Sequence, residues 1–390
     1  MSKRITRPVW AQIDLDHLAH NIREVRRVTK EDALVTAVIK ADGYGHGSVE
    51  IGQTLLENGA DRFAVATLME AVELRRAYPE TDIMVLGYTP NEDADIVLDN
   101  DIIQTVYAVD QAQAMSAEAV KRQKTVRLHV KVDSGMGRLG LQAGQEAVEA
   151  VRAMAKLPGV VLEGIFTHFA VADEVDKAYT CQQVKRFNET VEALEKAGVQ
   201  IPIKHVSNSA AIIDLPELNY NMVRAGIMLY GLYPSHDVSH VNVKLKEVMS
   251  LRAKLSLVKE LPEGAGISYG LLYTTDHQQR VGTIPLGYAD GYTRLYTGKA
   301  QVLVEGVKKP IIGRICMDQC MVDLDGTKAL RDDEVVLFGK QGENFISIDE
   351  VASWIETINY EVVCMISKRV PRVYVRGNQV QSVRDRIGQK

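Results

Sequence analysis

Short apolar, β-branched runs recur through the first 240 residues, separated by segments with helical spacing. The runs at 33–39, 62–66, 82–86, 102–107, 127–132, 162–167, 203–206 and 222–224 have the length and branching of strands buried on both faces. Between them, apolar residues three and four apart predict helices, among them 48–58, 69–77, 144–155 and 179–197. Eight alternating units predict an α/β fold, a TIM (β/α)8 barrel over residues 1–240, with a doubly wound open sheet as the alternative. After Pro234 the texture changes. Strand-like runs at 251–258, 280–285, 301–304, 311–315 and 334–338 arrive without comparable helices, which predicts a mostly β-strand domain over 241–390. The joint falls in the serine- and histidine-rich stretch 235–243.

The first of these runs ends in one lysine and a glycine-rich turn, Ile39-Lys40-Ala41-Asp42-Gly43-Tyr44-Gly45-His46-Gly47. In a barrel, Lys40 then stands at the carboxyl end of a strand, where barrels gather their active sites. Other polar residues fall at the same end: Arg138 beyond the fifth run, His168 after the sixth, Ser209 after the seventh, and Arg224 and Gly226 at the eighth. Loops after the seventh and eighth strands are the usual phosphate site of such barrels, and Ser209 with the amides of Gly226 and Ile227 suits that role. A lysine, a phosphate cradle and cations around one mouth point to pyridoxal 5'-phosphate, which needs a Schiff-base lysine and a phosphate anchor.

Composition narrows the partners. With 46% hydrophobic and 25% charged residues among 390, the chain is an ordinary globular protein. A net charge of -5 and the absence of any Lys/Arg block exclude a phosphate-backbone surface, so no nucleic acid is expected. The first ten residues are polar and basic, and no run reaches the ~18 apolar residues of a membrane span. A cytoplasmic protein without membrane association is therefore expected. Cys181, Cys316, Cys320 and Cys364 lack the spacing of a metal site, and none is expected.

The segment 38–47 resembles the pyridoxal-attachment signature of the alanine racemase family. The similarity continues through Val132-Asp133-Ser134-Gly135-Met136-Gly137-Arg138-Leu139-Gly140, Thr167-His168-Phe169-Ala170, Asn208-Ser209-Ala210 and Met222-Val223-Arg224. In the second domain it resumes at Ser268-Tyr269-Gly270, Pro285-Leu286-Gly287-Tyr288-Ala289-Asp290-Gly291, Gly313-Arg314-Ile315-Cys316-Met317-Asp318-Gln319 and Thr357-Ile358-Asn359-Tyr360-Glu361. One departure is Asp42-Gly43, where the family more often has asparagine and a small residue. It leaves the lysine untouched and alters the turn.

The resemblance implies two-base racemisation of L- and D-alanine, supplying D-alanine for peptidoglycan. Lys40 would hold the cofactor and move the α-proton on one face, with Tyr269 as the opposing base. A free phenol, with a pKa near 10, is only about 0.1% ionised at pH 7, so a neighbouring cation is expected. Arg138 and the amide of Met317 would bind the substrate carboxylate, His168 would contact Tyr269 and Arg224, and Arg224 would face the pyridine nitrogen. Tyr44, Asn208, Ser209, Gly226, Ile227 and Tyr360 would complete the cofactor site, and Lys131 is at a position carrying a carbamate in many relatives. The resemblance also implies a homodimer whose second domain completes the partner's barrel mouth.

Three other readings compete. A pyridoxal-phosphate binding or homeostasis protein would be a barrel alone, which the second domain opposes. A decarboxylase of this layout would place a carboxylate at the pyridine nitrogen, where Arg224 stands. A serine or broad-specificity racemase differs only in the side chain accepted, a discrimination worth about one or two kcal/mol.

Overall fold

The protein is described here from a computed structural model covering Ile5 and residues 7–387. Part of the polar amino-terminal stretch, residues 1–4 and 6, lies outside the described residues. The chain divides into two compact units. One comprises Leu18–Gly43 and Ser48–Lys246; the other comprises the described residues up to His17, Tyr44–Gly47, and the chain from Glu247 onward.

The first unit is a barrel. Its strands are β1 (Leu34–Val38), β2 (Arg62–Val65), β3 (Ile83–Val85), β4 (Ile103–Val106), β5 (Val126–Asp133), β6 (Val160–Phe166), β7 (Ile203–His205) and β8 (Met222–Ala225). All pair in parallel in the order β8-β1-β2-β3-β4-β5-β6-β7. The amides of Asn221 and Arg224 donate to the carbonyls of Lys204 and Ser207, both at 3.1 Å, which brings the two edges together and nearly closes the sheet. Each expected strand is present, and helices at Ser48–Glu57, Leu68–Ala77, Gln145–Met154 and Ala178–Lys196 fill the expected places. Continuous burial of β2, β3, β4 and β8 explains why their sequences read as unbroken apolar runs.

The second unit is built on an eleven-stranded sheet, mostly antiparallel. The run expected at 251–258 is broken into Met249–Lys254 and Leu257–Leu261, that at 311–315 overlaps Val307–Ile312 only at its first two residues, and the others appear as Gln279–Ile284, Gln301–Val304 and Glu334–Gln341. Sequence reading did not anticipate the strand Val9–Asp14, which pairs antiparallel with Met249–Lys254 and parallel with Arg372–Arg376. Its six residues sit behind a charged stretch and are interrupted by Gln12, so they carry little strand signal. A small hairpin, Gly266–Ile267 with Tyr273–Thr274, carries Tyr269 at its tip.

Candidate active site

Lys40 leaves β1 under an unusual backbone. The Ile39 amide still donates to Ala64 O at 2.9 Å, but Ala41 (φ 52°, ψ 48°), Asp42 (φ 54°, ψ 46°), Gly43 (φ 63°, ψ 45°) and Tyr44 (φ 51°) follow as a left-handed turn. Each non-glycine residue there costs about 1–2 kcal/mol, so Ala41, Asp42 and Tyr44 together hold roughly 3–6 kcal/mol of strain. Local hydrogen bonds offset part of it. Gly43 N–H donates to Ile39 O (2.9 Å), Ser48 N–H to Asp42 Oδ1 (3.1 Å), and Ala41 N–H to Glu70 Oε1 (2.7 Å). The other oxygen of Glu70 accepts from the amides of Ala66 and Thr67, and Thr67 caps the helix Leu68–Ala77. Strain maintained this way is typical of functional sites.

Around the same strand ends the barrel gathers cations. Arg224, buried on β8, donates from Nη1 to His205 Nδ1 (2.9 Å) and from Nη2 to Thr167 O (3.0 Å), Val206 O (3.1 Å) and His168 Nδ1 (3.2 Å). Burial and the charge of Arg138 pull its guanidinium down to about 9, still protonated at neutral pH. His168 is held well below the usual imidazole range by burial and then by the charges of Arg224, Lys131, Arg138 and Lys40, so it is neutral. Lys131 is buried against the face of Phe166 (5.1 Å to the ring centre), and its Nζ donates to Val132 O at 3.3 Å. Burial, reinforced by Arg224 and Arg138, lowers its ammonium far below the ordinary lysine value. Asp133 accepts the amides of Gly135 and Gly137 and so fixes the loop that presents Arg138.

The loops after β7 and β8 meet as expected for an anion cradle. Asn208 caps the helix Ser209–Asp214 by accepting from Ala211 N–H (3.1 Å), and Ser209 Oγ accepts from Gly226 N–H (3.0 Å). Because Oγ accepts that amide, the hydroxyl proton of Ser209 remains available to donate. The Gly226 amide is committed to Ser209, while Ile227 opens a short 3-10 turn.

The remaining expected residues belong to the strand-rich unit. The rings of Tyr44 and Tyr360 lie 6.2 Å apart in tilted contact. Tyr269 is 72% exposed. Its loop is fixed by Ser268 (φ 65°), whose hydroxyl donates to Arg314 O at 2.6 Å. Met317 is presented by a second loop, whose Cys316 and Met317 carbonyls accept from the amides of Tyr288 and Ala289. A Cβ on Gly287 would lie 2.2 Å from Cys316 O, so this close backbone pairing requires glycine.

Comparison with known proteins settles the family. A model described as the alanine racemase N-terminal domain matches residues 13–234, and one described as the C-terminal domain matches residues 248–374. The chain belongs to the alanine racemase family. An alanine racemase of Clostridium novyi is 46% identical over 383 residues, covering 98% of this chain and 99% of that protein. The solved alanine racemase of Clostridium difficile 630 matches with a TM-score of 0.94 at 45% identity, covering 98% of this chain and 99% of that one. The Bacillus anthracis alanine racemase with bound L-Ala-P matches with a TM-score of 0.93 at 37% identity and the same coverage. The chain is accordingly an isomerase of the alanine racemase type. A match to the C-terminal model removes the reading of a barrel-only carrier.

Several residues around the site escaped sequence reading. Glu70 was detectable, because Thr67-Leu68-Met69-Glu70 has the spacing of a capping box. Glu163, His129, His205 and Phe166 carry no local motif, since two lie inside strands and two end them.

Proposed function

We propose that the chain racemises alanine by two-base proton transfer with pyridoxal 5'-phosphate, Lys40 and Tyr269 serving opposite faces of the substrate's α-carbon. The observation that carries this reading is the meeting of Lys40 with three further cations, Lys131, Arg138 and Arg224, around the neutral His168. That donor set fits a group bearing a phosphate and a phenolic oxygen, and the free hydroxyl proton of Ser209 beside Gly226 and Ile227 fits the phosphate. When bound, the cofactor supplies an electron sink for the negative charge left at the α-carbon.

Lys40 would hold the cofactor through its amine and would exchange the α-proton on one face. Tyr269 exchanges it on the other. Arg138 and the Met317 amide would grip the substrate carboxylate, and Tyr44, Ser209, Ile227 and Tyr360 would anchor the cofactor, with Asn208 and Gly226 shaping the cradle through their bonds to Ala211 N–H and Ser209 Oγ and with His168 beside Arg224. Arg224 would lie at the ring nitrogen and, because it retains its proton, would donate a hydrogen bond without protonating the ring, which would favour proton exchange over transamination. Lys131, whose amine is biased toward its neutral form, has the chemistry to take up carbon dioxide as a carbamate and so offset the surplus of positive charge. D-alanine supply for peptidoglycan in the cytoplasm is the biological role proposed. Among the described residues, no helix is long and apolar enough to cross a membrane.

The test is incubation of the purified protein with L-alanine in deuterium oxide, following the optical signal while mass spectrometry counts deuterium at the α-carbon. Decay to zero with deuterium incorporated and no carbon dioxide released is expected. A persistent optical signal with the cofactor bound would overturn alanine as substrate and direct the same assay to serine.

A further inference from the structure

A continuous line of hydrogen bonds runs through the barrel interior from Arg224 to the strands' amino-terminal half. Arg224 Nη1 meets His205 Nδ1 at 2.9 Å, His205 Nε2 meets His129 Nδ1 at 2.9 Å, and His129 Nε2 meets Glu163 Oε2 at 2.8 Å. Glu163 also accepts from Arg62 Nη1 (3.0 Å) and lies 3.4 Å from Arg127 Nη1, and Asp82 and Asp101 partner those two arginines further out. His129 and His205 are both wholly buried.

Only one arrangement of protons satisfies every link. A guanidinium can only donate, so His205 Nδ1 must accept and its proton must sit on Nε2. His129 Nδ1 then accepts, and the His129 proton sits on Nε2, facing the carboxylate. A proton added to either Nδ1 would set two donors face to face at 2.9 Å. Burial first disfavours charging either ring, reinforced at His205 by Arg224, His129, Arg62 and Lys131, and at His129 by Arg62 and Arg127 against the opposing hydrogen bond and charge of Glu163.

The barrel makes room for this line. A Cβ at position 164 would lie 2.3 Å from His129 Nδ1, so Gly164 is the gap the ring occupies, and the β5–β6 register shifts between Leu128 and His129. On the other ring, Phe166 stacks flat against His205, centroids 4.6 Å apart at 7°.

We propose that Glu163 and His129 are positioning residues for the racemase reaction: the half-buried carboxylate fixes both imidazoles as neutral Nε2–H tautomers, so that Arg224 always meets an acceptor and keeps one orientation at the cofactor's ring nitrogen. The last clause rests on the assignment of Arg224 under the proposed function; the tautomers do not.

The experiment is nitrogen-15 NMR of histidine-labelled holoenzyme, nine imidazoles in all, with His129→Phe and Glu163→Asp for assignment and function. In the unsubstituted enzyme both rings are expected to stay neutral Nε2–H tautomers between pH 6 and 9. An imidazolium or an Nδ1–H signal from His205 in the unsubstituted enzyme would overturn the relay. His129→Phe, which keeps ring volume, should free His205 from that tautomer, move the absorption band of the bound cofactor and lower kcat roughly ten- to hundredfold, as expected for one lost hydrogen bond to a charged group, with KM for alanine little changed. Glu163→Asp should recover most of the band and the rate. An unchanged His205 tautomer and unchanged kcat in His129→Phe would also overturn the proposal. If Arg224→Lys fails to move the cofactor band while the tautomers are as stated, the assignment of Arg224 falls instead.

Discussion

Two carboxylates, Glu163 and Glu247, are largely shielded from water and respond in opposite directions. Burial pushes Glu163 up, but the hydrogen bond from His129 and the charges of Arg62 and Arg127 bring it down to about 2. It therefore contributes stability that is present above the unfolded carboxyl value of 4.5 and lost as pH falls toward 2. Glu247 is raised to about 8 by burial and by Asp349, against one backbone hydrogen bond from Ile348, and its Oε2 has no hydrogen-bond partner among the described residues. The folded state binds that proton more tightly than the unfolded state, so its contribution is fully present below pH 4.5 and disappears as pH rises toward 8. Glu247→Gln should match the unsubstituted protein in urea midpoint at pH 5 and exceed it at pH 8.5. Equal midpoints at both values would show that Glu247 ionises without cost.

At the scale of elements, the left-handed turn after β1 converts a strand end into a fixed carrier for Lys40, and its glycines are not equivalent. At Gly43 (φ 63°) an added Cβ would meet the flexible end of Ile51 at 2.8 Å, so Gly43→Ala should cost about 1–2 kcal/mol, mainly backbone strain. At Gly45 (φ 81°) it would lie 2.5 Å from the carbonyl oxygen of Val363, which cannot rotate away, so the same change should cost about 3 kcal/mol or more. Urea unfolding of the two variants checks the order, and a Gly43 variant as damaged as the Gly45 variant would contradict it. The glycine-rich turn was readable in sequence because Gly43, Gly45 and Gly47 announce positive φ. Its handedness was not, since Ala41, Asp42 and Tyr44 adopt the same conformation against their own preference, held partly by Glu70 from another element. The eight barrel strands were legible because burial on both faces leaves unbroken apolar runs. The relay through His129 and His205 was not, because pairing between β5, β6, β7 and β8 brings together residues up to 95 positions apart (129 to 224), and single-chain periodicity says nothing of such pairs.

At the scale of the whole molecule, the strand-rich unit exposes what a lone chain has no reason to expose. Tyr269, Leu271, Leu272 and Met317 are each more than half exposed, on loops tied together through Ser268 and Arg314. An apolar group of this kind marks an interaction surface, and the proposed occupant is a second copy of the chain, whose barrel would receive Tyr269 and Met317 while giving its own in return. A two-fold dimer built this way has two sites, each drawing Lys40 from one protomer and Tyr269 from the other. Lys40→Ala and Tyr269→Ala proteins should each be inactive alone. When they are mixed in equal amounts and allowed to exchange, half the dimers are hybrids, and each hybrid holds one site with both bases intact and one with neither. About a quarter of all sites should then regain activity. If each chain instead used its own Lys40 and Tyr269, no mixture would ever assemble an intact pair. Native mass spectrometry showing hybrids with no return of racemase activity would therefore rule out the shared site.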